Sequence, residues 1–368
     1  MTGKCTLCGA KGEEISAELK VCLSCIRAKP EEALALAQEA HAASRRRFGF
    51  PESAPRGGEA KCTLCVNQCE LREGERSLCG LRVNRNGRLV HLSGTAREAV
   101  VSAYHDALPT NCVAAWVCAG CTGAGYPRYS HVERGPELGY KNLAVFYGAC
   151  SFDCLFCQNW EYRENARSLR PRMTPEQLAG MVDSRTSCIC YFGGDPTPQM
   201  AHSIKTSEVA LRAREGEILR ICYETNGSMH SGALKKAAKL SLESGGCIKF
   251  DLKAWDENLH LALTGASNRF TLKNFAMLAE LVEERPSPPF LIASTLLVPG
   301  YVDASEVEAI ARFIAELNPE IPYALLAFYP TYMMRSLPTT SRAHAKTCLE
   351  AARRHLRNVR LGNVHLLR

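Results

Sequence analysis

Cys150, Cys154 and Cys157 lie in the segment Tyr147-Gly-Ala-Cys-Ser-Phe-Asp-Cys-Leu-Phe-Cys-Gln-Asn-Trp160, a Cys-x3-Cys-x2-Cys triplet. Three thiolates on one short loop can hold three irons of a [4Fe–4S] cube, because soft sulfur ligands select iron–sulfur clusters or zinc. No fourth cysteine sits in the loop, so one iron stays open to a small molecule. A purely structural cluster does not need that vacancy. The competing reading is a zinc knuckle that borrows a distant fourth ligand.

Further segments carry groups suited to a small polar molecule. In Tyr191-Phe-Gly-Gly-Asp-Pro196, Gly193 and Gly194 allow close backbone approach and offer carbonyls to an ammonium group; Asp195 follows them. Glu224-Thr-Asn-Gly227 supplies acceptors and a hydroxyl suited to sugar hydroxyls, although Asn226 also fits a helix N-cap. Asp251-Leu-Lys253 sets a carboxylate and an ammonium on one side of a strand, suited to an ion pair or to carboxylate binding.

These motifs need a frame, and the chain from Asn142 onward supplies one. Apolar runs predict strands at 142–147, 188–192, 219–224, 247–252, 290–297 and 323–328, with helices at 175–181, 200–214, 233–244, 272–284, 304–317 and 342–356. Six βα repeats imply a parallel sheet with right-handed crossovers. Six rather than eight points to an α/β fold of the open partial (β/α)6 TIM type. Each motif falls at a strand's C-terminal end, where such barrels place their active-site loops.

Other cysteines cluster upstream. Cys5-x2-Cys8 and Cys22-x2-Cys25 match a four-thiolate zinc ribbon in residues 1–28, with a rubredoxin-like iron site as the alternative. Residues 29–58 read as a helix (Pro30 to Arg47) and a Gly/Pro-rich linker, so ribbon and helix form an appended module. A Cys-rich region, 59–140, begins with Cys62, Cys65, Cys69 and Cys79, which suit zinc or an auxiliary iron–sulfur cluster, zinc being the slightly favoured reading. A hairpin turn follows at Asn86-Gly87. Cys112, Cys118 and Cys121 lie in an apolar, Gly-rich stretch that reads as buried free thiols or as one more cluster site.

The triplet, with Phe156 just before its last cysteine, resembles the signature of the radical S-adenosylmethionine (SAM) superfamily. The later motifs, in order after successive strands, resemble its pyruvate formate-lyase activating enzyme-like branch, over about residues 142–329. The resemblance implies that residues 141–368 form a radical SAM partial barrel. It implies a [4Fe–4S] cluster on Cys150, Cys154 and Cys157 and an open iron that chelates SAM. It further implies SAM contacts from Gly193, Gly194, Asp195 (where the family usually has Glu), Glu224, Asn226 and Lys253. In Leu297-Val-Pro-Gly300 it makes Val298, with Phe156, an apolar neighbour of the adenine; Tyr147, Tyr191, Tyr223 and Tyr329 are further cavity candidates. The implied chemistry is reductive cleavage of SAM to a 5′-deoxyadenosyl radical that abstracts hydrogen from a substrate, possibilities being a protein or peptide, as in glycyl-radical activation. A one-electron donor such as flavodoxin or ferredoxin is implied as partner.

Composition is compatible with an enzyme: 368 residues, 46% hydrophobic and 23% charged. No apolar run reaches the roughly 18 residues a membrane span needs, and the polar start argues against a signal peptide. Nineteen cysteines at metal-ligand spacings then point to a reducing cytoplasm. Ser341 to Arg368 carries seven Lys/Arg against one Glu, most of the net +7. A solvated helix face explains this tail; RNA binding by ribbon and tail is the alternative, with a non-catalytic metal scaffold or electron carrier behind it.

Overall fold

The computed structural model describes residues 2–368. Its centre is a nine-stranded sheet: β1 (Ala99–Ala107), β2 (Lys141–Tyr147), β3 (Arg172–Met173), β4 (Thr186–Gly193), β5 (Arg220–Thr225), β6 (Ile248–Asp251), β7 (Leu291–Leu297), β8 (Tyr323–Ala327) and β9 (Val359–Gly362). The spatial order is β9-β8-β7-β6-β5-β4-β2-β1-β3, and the two outer strands do not meet, so the barrel stays open. All six predicted strands are present and parallel, joined by β9 at one edge, while β1 runs antiparallel to β2 at the other. The sheet therefore reaches back into the Cys-rich stretch, upstream of the barrel start expected at 141.

The strands are near-continuous apolar runs because both faces are covered; β7, Leu-Ile-Ala-Ser-Thr-Leu-Leu, is buried except at Leu296. Helices stop and start on their own signals. Thr174 and Gln177 form a capping box ahead of Pro175–Ala179, and Asp303 and Ser341 cap Ala304–Leu317 and Arg342–Arg353. The region after β6 holds two helices, Glu257–Thr264 and Arg269–Ala279, where one was expected. The hairpin lies as predicted, with positive φ at both Asn86 and Gly87 between Arg82–Arg85 and Arg88–His91.

The N-terminal segment is not a separately packed appendage. Leu19, Val21, Ile26, Ala33, Ala37 and Phe50 belong to the same buried core as the sheet. The Tyr301 hydroxyl donates to the Val21 carbonyl at 2.9 Å, and Arg27 forks onto Asp303 and Glu306. Half of the tail's arginines are paired: Arg354 meets Glu308, Arg357 meets Glu320 and Arg368 meets Glu13. Among the described residues, no helix is long and apolar enough to cross a membrane.

Candidate active site

The cysteine loop leaves β2 and is clamped from two sides. Asp153 N–H donates to the Thr264 carbonyl at 2.8 Å and Leu155 N–H to Leu263 at 3.0 Å, both at the end of Glu257–Thr264. From the other side, Gly194 N–H donates to the Tyr147 carbonyl and Asp195 N–H to that of Ala149, each at 2.8 Å. Cβ atoms would not fit here: one on Gly194 would sit 2.3 Å from the Ala149 oxygen, and one on Gly193, whose φ is +101°, 2.6 Å from Phe146 Cα. The glycines bring β4 against the cysteine loop itself, a role the sequence reading had given only to ligand approach.

One cavity of about 160 Å³ gathers Cys150, Cys154, Phe156, Cys157, Gly193, Gly194, Asp195, Glu224, Asn226 and Lys253. Of the residues predicted to hold cofactor, Val298 alone lies elsewhere. It is buried between the end of β7 and the turn at Pro299–Tyr301, with its N–H on the Leu296 carbonyl, and Leu296 and Leu326 supply apolar wall to the cavity instead. Tyr147, Tyr191 and Tyr223 also point away: they neighbour one another in a ladder, and their hydroxyls meet His202, Ser207 and Ser203 on Met200–Ala213. Tyr329 is exposed.

The side chains divide into those that face the cavity and those that brace it. The Asp195 carboxylate accepts from Thr197 N–H and Asn226 N–H, both at 2.7 Å, and from the Thr225 hydroxyl. Burial outweighs these donors and raises its carboxyl to about 6. Asp195 thus ties β4 to β5. Asn226 is no helix cap, since His230 caps Ser231–Ser244. Its amide donates to Ser151 Oγ at 2.9 Å and lies 3.7 Å from Cys150 Sγ. Lys253 pairs with Asp251 at 2.7 Å and lies over the Phe156 ring. The Glu224 carboxyl is raised to about 7 by burial, against the pull of Lys249 at 3.5 Å.

The donor set fits a cluster with an open corner. Burial pushes Cys154 up to about 12 and Cys150 and Cys157 upward too, so apo thiols are protonated; metal binding deprotonates coordinating thiols. The ammonium of Lys253, opposing that rise at Cys154 and Cys157, and the Phe152 N–H, 3.3 Å from Cys150 Sγ, favour thiolates. These sulfurs are not packed as around a single ion. Among the described residues, one group of three or more possible ligands has all its atoms within 4.8 Å: Cys5, Cys8, Cys22 and Cys25. There Cys5 and Cys25 sulfurs are 3.7 Å apart and those of Cys8 and Cys22 3.8 Å, matching the edge of about 3.8 Å expected for tetrahedral zinc with Zn–S near 2.3 Å. Cys62, Cys65, Cys69 and Cys79 line a small common pocket but lack that spacing. Their loop abuts the site, since Asn67 donates to the Ser151 carbonyl and Val66 N–H to that of Ser228.

Several residues that shape the site escaped the sequence reading. Asp153 has carboxylate contacts with Arg163, His41 and Ser44. Gln158 and Asn159 line the cavity, and Asn159 donates to the Gly193 carbonyl. No motif marks them; proximity to the triplet was the sole available signal.

A profile described as the Radical SAM superfamily matches residues 144–314. An uncharacterized protein of Methanocaldococcus jannaschii is 27% identical over 294 residues, covering 77% of this chain and 74% of that protein. A putative glycyl-radical enzyme activating enzyme of the same organism is 33% identical over 203 residues, covering 54% of this chain and 70% of its own length. Among solved structures, SuiB of Streptococcus suis bound to its precursor peptide aligns with a TM-score of 0.45 at 16% identity, over 59% of this chain and 47% of SuiB.

Proposed function

This chain belongs to the radical SAM superfamily as an enzyme, and we propose that it cleaves SAM reductively, on a [4Fe–4S] cluster held by Cys150, Cys154 and Cys157, to abstract hydrogen from a polypeptide. The observation that carries this reading is the convergence of the three thiols with Gly193, Gly194, Glu224, Asn226 and Lys253 in one cavity at the strand ends. A cluster held there by Cys150, Cys154 and Cys157 would supply the one electron needed for reductive cleavage of SAM.

The residues divide the rest of the work. Lys253 offers positive charge to the SAM carboxylate, sharing its donors with Asp251. The Gly193–Gly194 backbone and Glu224 face its ammonium and ribose, and Phe156, Leu296 and Leu326 give apolar wall for the adenine. Burial of the loop under Glu257–Thr264 keeps water from a reactive species. A polypeptide substrate is supported by the 33% identity to a putative glycyl-radical enzyme activating enzyme; three of the tail's six arginines, Arg354, Arg357 and Arg368, are already held by carboxylates of this chain, which leaves fewer free for RNA. Flavodoxin or ferredoxin would serve as electron donor. The four-thiolate site at Cys5, Cys8, Cys22 and Cys25 would hold zinc.

The test is 5′-deoxyadenosine formation by anaerobically reconstituted protein with SAM and dithionite. Cys154→Ala should abolish it. Unchanged formation in that variant would overturn the assignment.

A further inference from the structure

A second concentration of thiols lies on the concave face of the sheet. Alternate residues of neighbouring strands share a face, and here the parallel register sets Cys188 and Cys190 of β4 beside Arg220, Cys222 and Glu224 of β5, next to Cys247 and Lys249. The segment carrying Cys112, Cys118 and Cys121 closes over them, leaving a cavity of about 240 Å³. Cys188, Cys190 and Cys247 are buried in the sheet, whereas Cys112, Cys118, Cys121 and Cys222 stay partly accessible.

Two observations point to a ligand. Lys249 is 1% exposed, and its ammonium lies 3.1 Å from Cys112 Sγ, 3.0 Å from Cys190 Sγ and 3.5 Å from Glu224. A buried ammonium needs compensating negative charge; Glu224 supplies one carboxylate, and an anionic thiolate centre would face the ammonium from the side of Cys112 and Cys190. In addition, Ala114 N–H lies 3.4 Å from Cys112 Sγ, the same two-residue amide-to-sulfur contact that Phe152 makes to Cys150 at 3.3 Å. Hydrogen bonds to the sulfurs are a recognised control on cluster thiolates.

We propose that Cys112, Cys118, Cys121 and Cys222 hold a second iron–sulfur cluster, with Lys249 as its buried counter-charge. The compact spacing of a single tetrahedral ion is absent here and present at Cys5, Cys8, Cys22 and Cys25; a cluster, whose irons each carry their own thiolate, spreads its ligands wider. Glu224 lines both this cavity and the one around Cys150, so the two sites are neighbours. The assignment does not rest on SAM cleavage.

The test uses full-length protein carrying Cys150→Ala, Cys154→Ala and Cys157→Ala, reconstituted anaerobically with iron and sulfide. It is compared with the same protein further carrying Cys112→Ser, Cys118→Ser and Cys121→Ser. The second set should remove roughly two to four irons per chain with matching sulfide, and a reduced-cluster paramagnetic signal with them. Equal iron and sulfide in the two proteins overturns the proposal, as does zinc or a disulfide at these cysteines. Should the serine variant fail to fold, Lys249→Gln decides: loss of the positive charge should lower the midpoint potential of that signal, and an unchanged midpoint overturns the proposal.

Discussion

Asp153 and His41, 112 residues apart in the chain, meet in the core, with the ring Nδ1 3.1 Å from the carboxylate. Asp153 sits inside the cysteine triplet, and His41 on the helix Pro30–Arg46. Ser44 of that helix donates to the same carboxylate at 3.2 Å, and Arg163 donates to it at 2.6 Å. The N-terminal segment is thereby fastened to the loop that carries the chemistry.

Removing one partner of a buried charge pair costs about 3–5 kcal/mol when it strands the other, and the lower end applies here because Arg45 and His41 stay beside Asp153. Arg163→Met should lower the unfolding free energy by about 3 kcal/mol and reduce iron retained after reconstitution. Urea denaturation and iron analysis check this; a variant with wild-type midpoint and iron content contradicts it.

Burial works to raise the Asp153 carboxyl, but Arg163, His41 and Arg45 hold it well below the usual range. A depressed native value means that its stabilisation is complete above the unfolded value of about 3.9 and is lost as pH falls below it. Stability measured from pH 5 to pH 3 should therefore drop more steeply in wild type than in Asp153→Asn. Parallel curves would show that the carboxylate is not so held.

Glu224 has the opposite sign. Its native carboxyl, at about 7, keeps a proton that the unfolded chain, near 4.3, has released. Between those values the native state binds more protons, so this group's contribution to stability falls as pH rises. Glu224→Gln should flatten the decline between pH 4.5 and pH 7, read from thermal melts across that window. An unaltered slope would contradict the raised value.

The strands, their parallel run and the strand-end motifs were legible because period and punctuation are local. Contacts across the chain were not. Asp153 looks like any loop acid until the helix at His41 is folded against it. Cys190, Cys222 and Lys249 each pass for buried strand residues, and only the register of β4, β5 and β6 puts them on one face. Even so, the alternation Cys188-x-Cys190, Arg220-x-Cys222-x-Glu224 and Cys247-x-Lys249 was a period-two signal available in the sequence. The strand β1 was hidden by its polar second half, Tyr104-His-Asp106, at the open edge of the sheet.

Gly194→Ala tests the close approach of β4 to the cysteine loop. A Cβ 2.3 Å from the Ala149 oxygen must displace backbone, at a cost of about 1–3 kcal/mol. SAM cleavage should fall at least about tenfold, the equivalent of 1.4 kcal/mol. Full activity would mean that the loop tolerates the shift.

Zinc analysis addresses the N-terminal ribbon. One zinc per chain is expected, lost in Cys8→Ser together with thermal stability, because that segment shares the sheet's core. Zinc loss with an unchanged melt would show that the ribbon does not support the core.

An iron on the Cys150 loop should be free to take SAM. Low-temperature electron paramagnetic resonance of the reduced protein, with and without SAM, reads this. One [4Fe–4S] signal should change shape when SAM is added, and this signal should be missing in Cys154→Ala. A spectrum indifferent to SAM, or the responding signal intact in Cys154→Ala, would contradict it.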